Sequence, residues 1–275
     1  PHKSQRGQKI NKSAIQGISE TLNIDFRSPE TLKDNDEEYK FIKELNADLA
    51  IVVAYGQIIP EKFLNLTKKG FINIHASILP KWRGAAPIQR SIMNLDSEIG
   101  ISIMKIAKEL DSGPTSNIYK IELKKTDNAL DVSEKLSLLA AEKICDDIDN
   151  IFEDKVKFIN QDHSKATYAK KIQKIEGLID WNEDASKIIG KINGLFPSPS
   201  AFFNFSGERH KILKAEIGNG AGNPGEVLSD KLEIACGNNQ SIKILEIQRQ
   251  GKRPQKINEF MLGSQIKKGF VLSNV

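Results

Sequence analysis

The stretch FINIHASILPKWRGAAPIQ, residues 71–89, places two polar residues, Asn73 and His75, two positions apart in an apolar run. Successive side chains of an extended strand alternate between its two faces, so Asn73 and His75 are expected to share one face. Pro80 and Gly84 follow the run and predict a loop. Ligands of open α/β sheets bind beside the carboxyl ends of the strands, so the stretch predicts a strand that leads into a candidate site. Taken alone, an Asn-x-His pair is also explained by hydrogen bonds to a neighbouring loop.

Strands and helices alternate on both sides of this stretch. The segment ADLAIVVAY, residues 47–55, is apolar on both faces, which is typical of a central strand covered by helices on both sides. Downstream, IGISIMKIA and SNIYKIEL predict two further strands, and a long helix is predicted from about Leu130 to Phe152. This alternation predicts an α/β fold with a doubly wound parallel sheet, with room for an antiparallel strand at its edge.

The composition changes after the predicted long helix. Polar and basic residues dominate from about Gln161 to Asp184, and a helix with the sequence DASKIIGKINGLF follows. Short segments of alternating polarity then predict a small antiparallel β-barrel; they are SAFFNF, HKILKAEI, GEVLS, KLEIACG and SIKILEIQ. We therefore divide the chain into a domain at residues 1–160, a linker at 161–183 and a second domain at 184–275.

The charge of the chain is distributed unevenly. Among 275 residues, 40 are Lys or Arg and 36 are Asp or Glu, which gives a net charge of +4. Residues 1–19 contain four basic and no acidic side chains, and residues 201–275 contain eleven basic and seven acidic ones. Such local surpluses favour a polyanionic partner, although a solvated surface has the same composition.

Composition also bounds the location and the redox chemistry of the protein. No apolar run is long enough to span a bilayer, and the first residues lack the apolar core of a secretory signal. A cytoplasmic protein without a membrane partner is therefore expected. Cys145 and Cys236 are far apart in the sequence, which argues against a disulfide framework and against a cysteine-rich metal site.

A third polar residue, Asp111, lies in KELDSGPT after the next predicted strand. An Asp-Ser-Gly sequence is a common turn on its own. Because loops after neighbouring parallel strands meet at one edge of a sheet, however, Asp111 is expected to reach His75. A carboxylate, an imidazole and a carboxamide together supply a proton carrier, a group that sets its charge and a donor for a developing oxyanion. No serine or cysteine is placed as a nucleophile, so this set favours direct acyl transfer to an amine.

Several motifs along the chain resemble one family, the 10-formyltetrahydrofolate-dependent formyltransferases. NIHASILPKWRGAAPIQ and the later LDSG resemble its catalytic motifs, and RGAAPIQ is most similar to the members that formylate methionyl-tRNA. RGQKI resembles the family's basic loop, VVAYGQIIP a core strand and turn, IDW the linker, and FPSPSAFF the entry to the C-terminal domain. The resemblance covers most of the chain and implies a Rossmann-like formyl-transfer domain followed by an OB-like barrel that docks tRNA.

The resemblance also implies the residues of the site. Asn73 matches the donor to the tetrahedral oxyanion, His75 the group that handles the amine proton, and Asp111 the group that orients His75. The family's folate-binding stretch is matched by Ser77, Ile78, Leu79 and Pro80. The basic loop that contacts tRNA is matched by Lys3, Arg6 and Lys9.

On this interpretation the chain is an enzyme that uses 10-formyltetrahydrofolate as its formyl donor and initiator methionyl-tRNA as its acceptor, without a metal. We expect the protein to be a monomer. The family begins with a strand and a glycine-containing turn upstream of the basic loop, and neither is present here. We therefore expect that the sequence lacks its beginning.

Two other functions fit parts of the sequence. A folate-dependent formyltransferase acting on a small amine, such as an amino sugar or glycinamide ribonucleotide, would use the same chemistry. The long C-terminal segment is more natural for docking a macromolecule. A non-catalytic RNA-binding protein would use the barrel and the basic loop, but it would not need Asn73, His75 and Asp111.

Overall fold

The computed structural model describes residues 2–3 and 10–272. The strands are β1 His2–Lys3, β2 Ile10–Asn11, β3 Ala50–Val53, β4 Phe71–His75, β5 Arg83–Gly84, β6 Glu98–Lys105, β7 Thr115–Glu122, β8 Tyr168–Ala169, β9 Ala201–Phe205, β10 Glu208–Ile217, β11 Glu233–Cys236, β12 Gln240–Arg249 and β13 Gln255–Lys256. The α-helices are α1 Ala14–Thr21, α2 Asp36–Glu44, α3 Glu61–Leu64, α4 Pro87–Met93, α5 Ala129–Phe152, α6 Ala185–Gly194 and α7 Ile257–Leu262. Within these described ranges, no helix combines the length and the apolar composition needed to cross a membrane.

The chain forms two compact units. One consists of residues 1–50 and 56–70, and the other of residues 51–55 and 71–275. The functional division of the sequence into residues 1–160, 161–183 and 184–275 stays a prediction.

The first unit is organised around α2. Asn35 caps this helix, because its side chain accepts a hydrogen bond from the backbone N–H of Glu38. The carboxylate of Glu38 in turn accepts a hydrogen bond from Arg27 Nε at 2.8 Å. The next residue of α2, Tyr39, meets Phe63 of α3 edge to face, with ring centroids 5.5 Å apart. These contacts tie α2 to α3 and to the segment that precedes it.

A four-stranded sheet with the order β3-β4-β6-β7 forms the centre of the α/β region. The expected Rossmann-like α/β class is confirmed, but the sheet is not parallel throughout. β4 pairs antiparallel with β6, with His75 opposite Ser102, and β6 pairs antiparallel with β7. The antiparallel pairing extends beyond the edge strand that the sequence allowed for. Apolar periodicity shows that a strand is buried but contains no information about the direction of its neighbour.

β3 differs from the expected central strand. It is the first strand in the order of the sheet, so it has a neighbour on one side only in the part of the sheet that the structure describes. Ile51 is 37% exposed and Val53 is 58% exposed. The prediction that this segment is covered on both faces is therefore wrong. Its β-branched composition reflects the propensity to form a strand, which does not depend on what covers it.

Two helices pack closely because one of them has glycine at the contact. α4 and α6 meet at Gly194, where an added Cβ atom would lie 2.9 Å from the carbonyl oxygen of Gln89. A larger residue at this position would have to push the helices apart. Since α4 begins at Pro87, three residues after Gly84, this contact also fixes the end of the loop between β4 and α4.

The long helix predicted from about Leu130 to Phe152 is confirmed as α5, Ala129–Phe152. It begins with a capping box. The side chain of Asn128 accepts hydrogen bonds from the backbone N–H groups of Leu130 and Asp131, and the Asp131 side chain accepts one from Asn128 N.

The antiparallel sheet predicted for the C-terminal part is confirmed. Its strands follow the order β11-β12-β10-β9, and β13 pairs with β12. This path is open, so the OB-like element is a curled half-barrel. Its core includes Trp181, Ile188, Phe203, Ile234, Ile242 and Phe260. The predicted strand GEVLS is wrong: at residues 225–229 the structure has only isolated bridges, from Glu226 to Val271 and from Val227 to Ile234.

Beside this core lies a buried titratable side chain, His210 of β10, which is 4% exposed. Its ring stacks on Phe203 at a centroid distance of 5.3 Å and meets Phe260 edge to face. Nδ1 lies 3.0 Å from the carbonyl oxygen of Glu208 and donates to it, because a carbonyl oxygen only accepts. Burial lowers the pKa of His210 below its ordinary value.

We expect the protein to lose stability between about pH 8 and about pH 5, and the variant His210→Phe to lose less. In the unfolded chain the imidazole binds a proton near its ordinary pKa of about 6.5, whereas the folded state resists protonation until a lower pH. The stability that this group contributes is therefore complete above the unfolded pKa and is lost as the pH falls through the folded-state pKa. Thermal denaturation across this range measures the difference. Equal losses in the two proteins would assign the pH dependence to another group.

Candidate active site

The end of β4 contains the two polar residues of the stretch 71–89, Asn73 and His75. His75 is buried and Asn73 is half-buried. They lie two positions apart in one strand and therefore share a face, as expected. An imidazole and a carboxamide are thus fixed side by side on a strand, and their positions depend on the strand rather than on a mobile loop.

The hydrogen bond of His75 determines which of its nitrogens is available for chemistry. Nε2 lies 3.0 Å from the carbonyl oxygen of Trp82. Because a carbonyl oxygen only accepts, Nε2 carries the hydrogen and donates it. In the neutral ring, Nδ1 therefore has the free lone pair, and Nδ1 is the nitrogen that can accept a proton.

The structure brings Asp111 to this nitrogen. Asp111 Oδ2 lies 3.7 Å from His75 Nδ1, and the same oxygen accepts a hydrogen bond of 2.8 Å from Gly84 N. A distance of 3.7 Å is too long for a hydrogen bond, so the carboxylate acts on the ring through its charge.

The two residues meet for a reason other than the one expected from the sequence. Because β4 and β6 are antiparallel, their carboxyl ends lie at opposite edges of the sheet. The loop after β6 instead turns back, and a hydrogen bond of 2.9 Å from Lys105 N to Pro114 O closes it. Asp111 lies in this loop with φ at +48°, a left-handed conformation that is uncommon for residues other than glycine.

Residues 77–80, which are predicted to bind folate, are held in place mainly by contacts with the protein interior. Ser77 and Leu79 are buried, whereas Ile78 and Pro80 are half-buried. Ser77 Oγ donates to Lys81 O at 2.6 Å, so this hydroxyl is already engaged in the turn. Any contact of the stretch with a ligand therefore depends on its backbone and on Ile78 and Pro80.

Ser102 of β6 fastens this stretch to the sheet. Its buried hydroxyl donates to Ser77 O at 2.7 Å and accepts from Leu79 N at 3.1 Å. One side chain therefore satisfies a buried carbonyl and a buried N–H of the loop. Sequence analysis did not single out this residue, although Ser102 is the one polar residue between the charged ends of an apolar strand.

Residues from the start of the predicted linker contribute to the candidate site, which the sequence did not reveal. β5 pairs in parallel with β8, so that Arg83 lies opposite Tyr168 and Gly84 opposite Ala169. Gly84 has φ at +117°, and an added Cβ would lie 2.8 Å from Ala169 O, so only glycine fits there. Gln161 hydrogen-bonds both to Arg83 and to the loop of Asp111. No local motif identifies Gln161, which lies 50 positions beyond Asp111.

A cleft of about 480 Å³ lies where α4 meets the linker. Its lining residues are Arg90, Tyr168, Lys170, Lys171, Gln173 and Glu176. Arg90 pairs with Glu176 at 2.6 Å, and these hydrogen bonds lower the pKa of the Glu176 carboxyl below its ordinary value. The exposed Lys170 and Lys171, together with the exposed ring of Tyr168, give the cleft a basic and partly aromatic wall.

The residues predicted to contact tRNA fall largely outside the described structure. Arg6 and Lys9 lie outside the described residues, and Lys3 is described only as part of the backbone pair of β1 and β2. Across residues 2–3 and 10–272, no three His, Cys, Asp or Glu side chains come together in a group that could hold a metal ion.

Comparisons with known proteins agree on one family. The family model Formyl transferase matches residues 4–148, and the model Formyl transferase, C-terminal domain, matches residues 171–265. A methionyl-tRNA formyltransferase from Pelagibacter ubique (strain HTCC1062) is 67% identical over 275 residues, which cover 100% of this chain and 89% of that protein.

Solved structures share the fold at low sequence identity. HypX from Aquifex aeolicus in complex with tetrahydrofolic acid superposes with a TM-score of 0.64 and 16% identity, covering 85% of this chain and 42% of that chain. An N-formyltransferase from Helicobacter canadensis in complex with folinic acid and dTDP-3-aminofucose has a TM-score of 0.66 and 17% identity, covering 85% of this chain and 84% of that chain. At these identities the likeness is one of fold.

We expect Ser102→Ala to destabilise the protein by about 1 to 3 kcal/mol, because it leaves Ser77 O and Leu79 N buried without the partner that satisfies both. Urea denaturation measures the change. Ser137→Ala removes an exposed hydroxyl that donates to Glu134 O on α5, and it should change stability by less than about 0.5 kcal/mol. If the two variants were equally stable, the hydroxyl of Ser102 would not be what fastens the loop.

Proposed function

The chain belongs to the formyl transferase family and within it to the methionyl-tRNA formyltransferases, and from this premise we propose that Asn73, His75 and Asp111 are its catalytic residues. The enzyme transfers the formyl group of 10-formyltetrahydrofolate to the α-amino group of initiator methionyl-tRNA, and the product is used to initiate translation. The observation that supports this site is the position of Asp111 Oδ2, 3.7 Å from the free nitrogen of His75.

The chemistry requires an oxyanion donor. When the amine attacks the formyl carbon, the carbonyl oxygen becomes an oxyanion and the nitrogen becomes positively charged. Asn73 offers a carboxamide N–H group on the face of β4 that it shares with His75, and a neutral donor of this kind stabilises the oxyanion without taking up a proton. The strand preorganises the donor, so no reorganisation is needed during the reaction.

His75 then moves the proton. Because its Nε2 donates a hydrogen bond to Trp82 O, Nδ1 is the nitrogen that takes the proton from the attacking amine. The imidazolium that forms faces the carboxylate of Asp111, whose charge stabilises it. The same nitrogen delivers the proton to the leaving nitrogen of the folate, and the C–N bond to the folate breaks as the new amide forms. Protons and charges balance without a covalent enzyme intermediate.

The folate is proposed to lie along residues 77–80, beside His75. Ser77 and Leu79 anchor this stretch through their buried side chains, so the ligand contacts the backbone and the half-buried Ile78 and Pro80. A half-buried apolar surface suits a flat heteroaromatic ring.

The acceptor is a polyanion, and several basic features are proposed to bind it. Lys3, Arg6 and Lys9 of the N-terminal loop are proposed to contact the acceptor end, and residues 184–275 to dock the body of the tRNA. The cleft with Lys170, Lys171 and the exposed Tyr168 supplies positive charge and a ring on which a base can stack. We propose that the enzyme works in the cytoplasm, where its product is consumed.

We expect Asn73→Ala to lower kcat by roughly 10²- to 10³-fold, which is the usual effect of removing one preorganised oxyanion donor. Binding of 10-formyltetrahydrofolate, measured by calorimetry, should change little. Asn150→Ala on α5 serves as the matched control and should keep the parental rate. A folded Asn73→Ala protein with parental kcat would remove this residue from the mechanism.

We expect Asp111→Asn to lower kcat by roughly 10²-fold or more, because the amide accepts from Gly84 N but has no charge to stabilise the imidazolium. The rate of formyl-methionyl-tRNA formation at saturating folate measures this loss. Asp146→Asn removes one exposed carboxylate from α5 and should leave the rate unchanged. If both variants matched the parent, Asp111 would be an ordinary turn residue.

A further inference from the structure

Arg83 places a charged side chain inside the protein. It is 2% exposed. Two of its guanidinium nitrogens, Nε and Nη2, donate to Gln161 Oε1 at 3.0 and 2.7 Å, and Nη1 lies 3.4 Å from His163 Nδ1. In these contacts the positive charge is satisfied by a carboxamide and an imidazole nitrogen. The orientation of Gln161 is thereby fixed, because a guanidinium group donates and therefore requires the amide oxygen.

With its oxygen turned to Arg83, Gln161 must direct its amide nitrogen the other way. Gln161 is 7% exposed, and Nε2 donates to Asp111 O at 2.9 Å and to Gly113 O at 2.7 Å. Both hydrogens of the amide group are therefore used on the loop that contains Asp111. Hydrogen bonds therefore run from Arg83 to Gln161 and from Gln161 to the loop. Their donor-to-acceptor direction is determined by arginine, whose side chain can only donate.

The loop needs this support because its conformation is unfavourable. Asp111 has a positive φ of +48°, which a residue with a Cβ adopts at a cost in free energy. Gln161 holds the backbone carbonyl of Asp111, while Gly84 N holds its carboxylate at 2.8 Å. The two contacts restrain the residue at both ends, and Oδ2 is thereby kept beside His75 Nδ1.

We propose that Gln161, oriented by Arg83, is a positioning residue for formyl transfer that acts through Asp111. This inference rests on the proposed catalytic role of Asp111. Gln161 does not touch the reacting atoms. It keeps the carboxylate at the distance from His75 at which its charge stabilises the imidazolium.

The test uses Gln161→Glu in the full-length protein. A substitution such as Gln161→Met would leave the buried Arg83 without its acceptor and would interfere with folding. Glutamate still accepts hydrogen bonds from Arg83, so the fold is retained. Its second carboxylate oxygen, however, takes the place of the amide nitrogen that donates to the carbonyl groups of Asp111 and Gly113. This oxygen cannot donate a hydrogen bond and repels the two carbonyl oxygens. We expect a protein that still folds, because the ion pair with Arg83 offsets part of the two lost hydrogen bonds, with a kcat lower by roughly 10- to 100-fold and a KM for methionyl-tRNA within about twofold of the parent.

Gln57→Glu is the matched control. Gln57 Nε2 also donates to a backbone carbonyl, Glu30 O at 2.8 Å, but it lies in the other compact unit, at an exposed position. The substitution makes the same chemical change and adds the same charge. It should leave kcat unchanged.

Combining the substitution with Asp111→Asn separates positioning from a general structural role. If Gln161 acts through Asp111, Gln161→Glu lowers kcat little further when the carboxylate is already gone. A full further loss in the double variant, or a parental kcat in Gln161→Glu when Asp111→Asn alone is impaired, would overturn the inference and leave the proposed function standing. A parental kcat in Asp111→Asn itself would instead overturn the proposed role of Asp111, and this inference with it.

Discussion

The buried charge of Arg83 is the constraint on which the site depends. A guanidinium group removed from water destabilises a protein by several kcal/mol unless its N–H groups find acceptors. The acceptor that it finds, Gln161, lies 78 positions later in the chain. The segment after α5 must therefore return to β5 before the charge is satisfied. This requirement places the segment that begins at Gln161 against β5 and against the loop of Asp111, so the candidate site is built from residues that lie far apart in the chain.

Three consecutive residues, Trp82, Arg83 and Gly84, each hold a different part of the candidate site in place. The carbonyl of Trp82 accepts from His75 Nε2 and thus sets the tautomer of the imidazole. The side chain of Arg83 orients Gln161, and the N–H of Gly84 holds the carboxylate of Asp111. A short strand can do this because its backbone groups and its side chains point in different directions. The same arrangement explains why Gly84 has no room for a side chain: its backbone lies directly against Ala169 O.

Sequence analysis correctly predicted the elements of this structure that are determined by local sequence patterns. Apolar periodicity located β4 and α5, and alternation located the C-terminal antiparallel sheet, because each of these depends on neighbours within a few positions. Pairing direction depends on contacts between distant segments, so the antiparallel pairing of β4 with β6 was not predicted. Asn73 and His75 could be selected because they interrupt an apolar strand. Gln161 could not, because a glutamine in a polar segment has no feature that separates it from its neighbours.

The pairing of β5 with β8 joins the basic cleft to the strand whose Gly84 N–H holds the carboxylate of Asp111. Tyr168 of β8 lines the basic cleft and lies opposite Arg83, and Ala169 O accepts hydrogen bonds from the N–H groups of Ala85 and Ala86. Binding energy raises kcat only where it stabilises the transition state more than the bound substrates. If the cleft binds a nucleic acid, as we propose, that ligand contacts β8, which pairs with the strand that contains Arg83 and Gly84. On this proposal, contacts in the cleft would contribute to the geometry in which His75 takes the proton, and a small amine lacking those contacts is expected to react more slowly even when it saturates the enzyme.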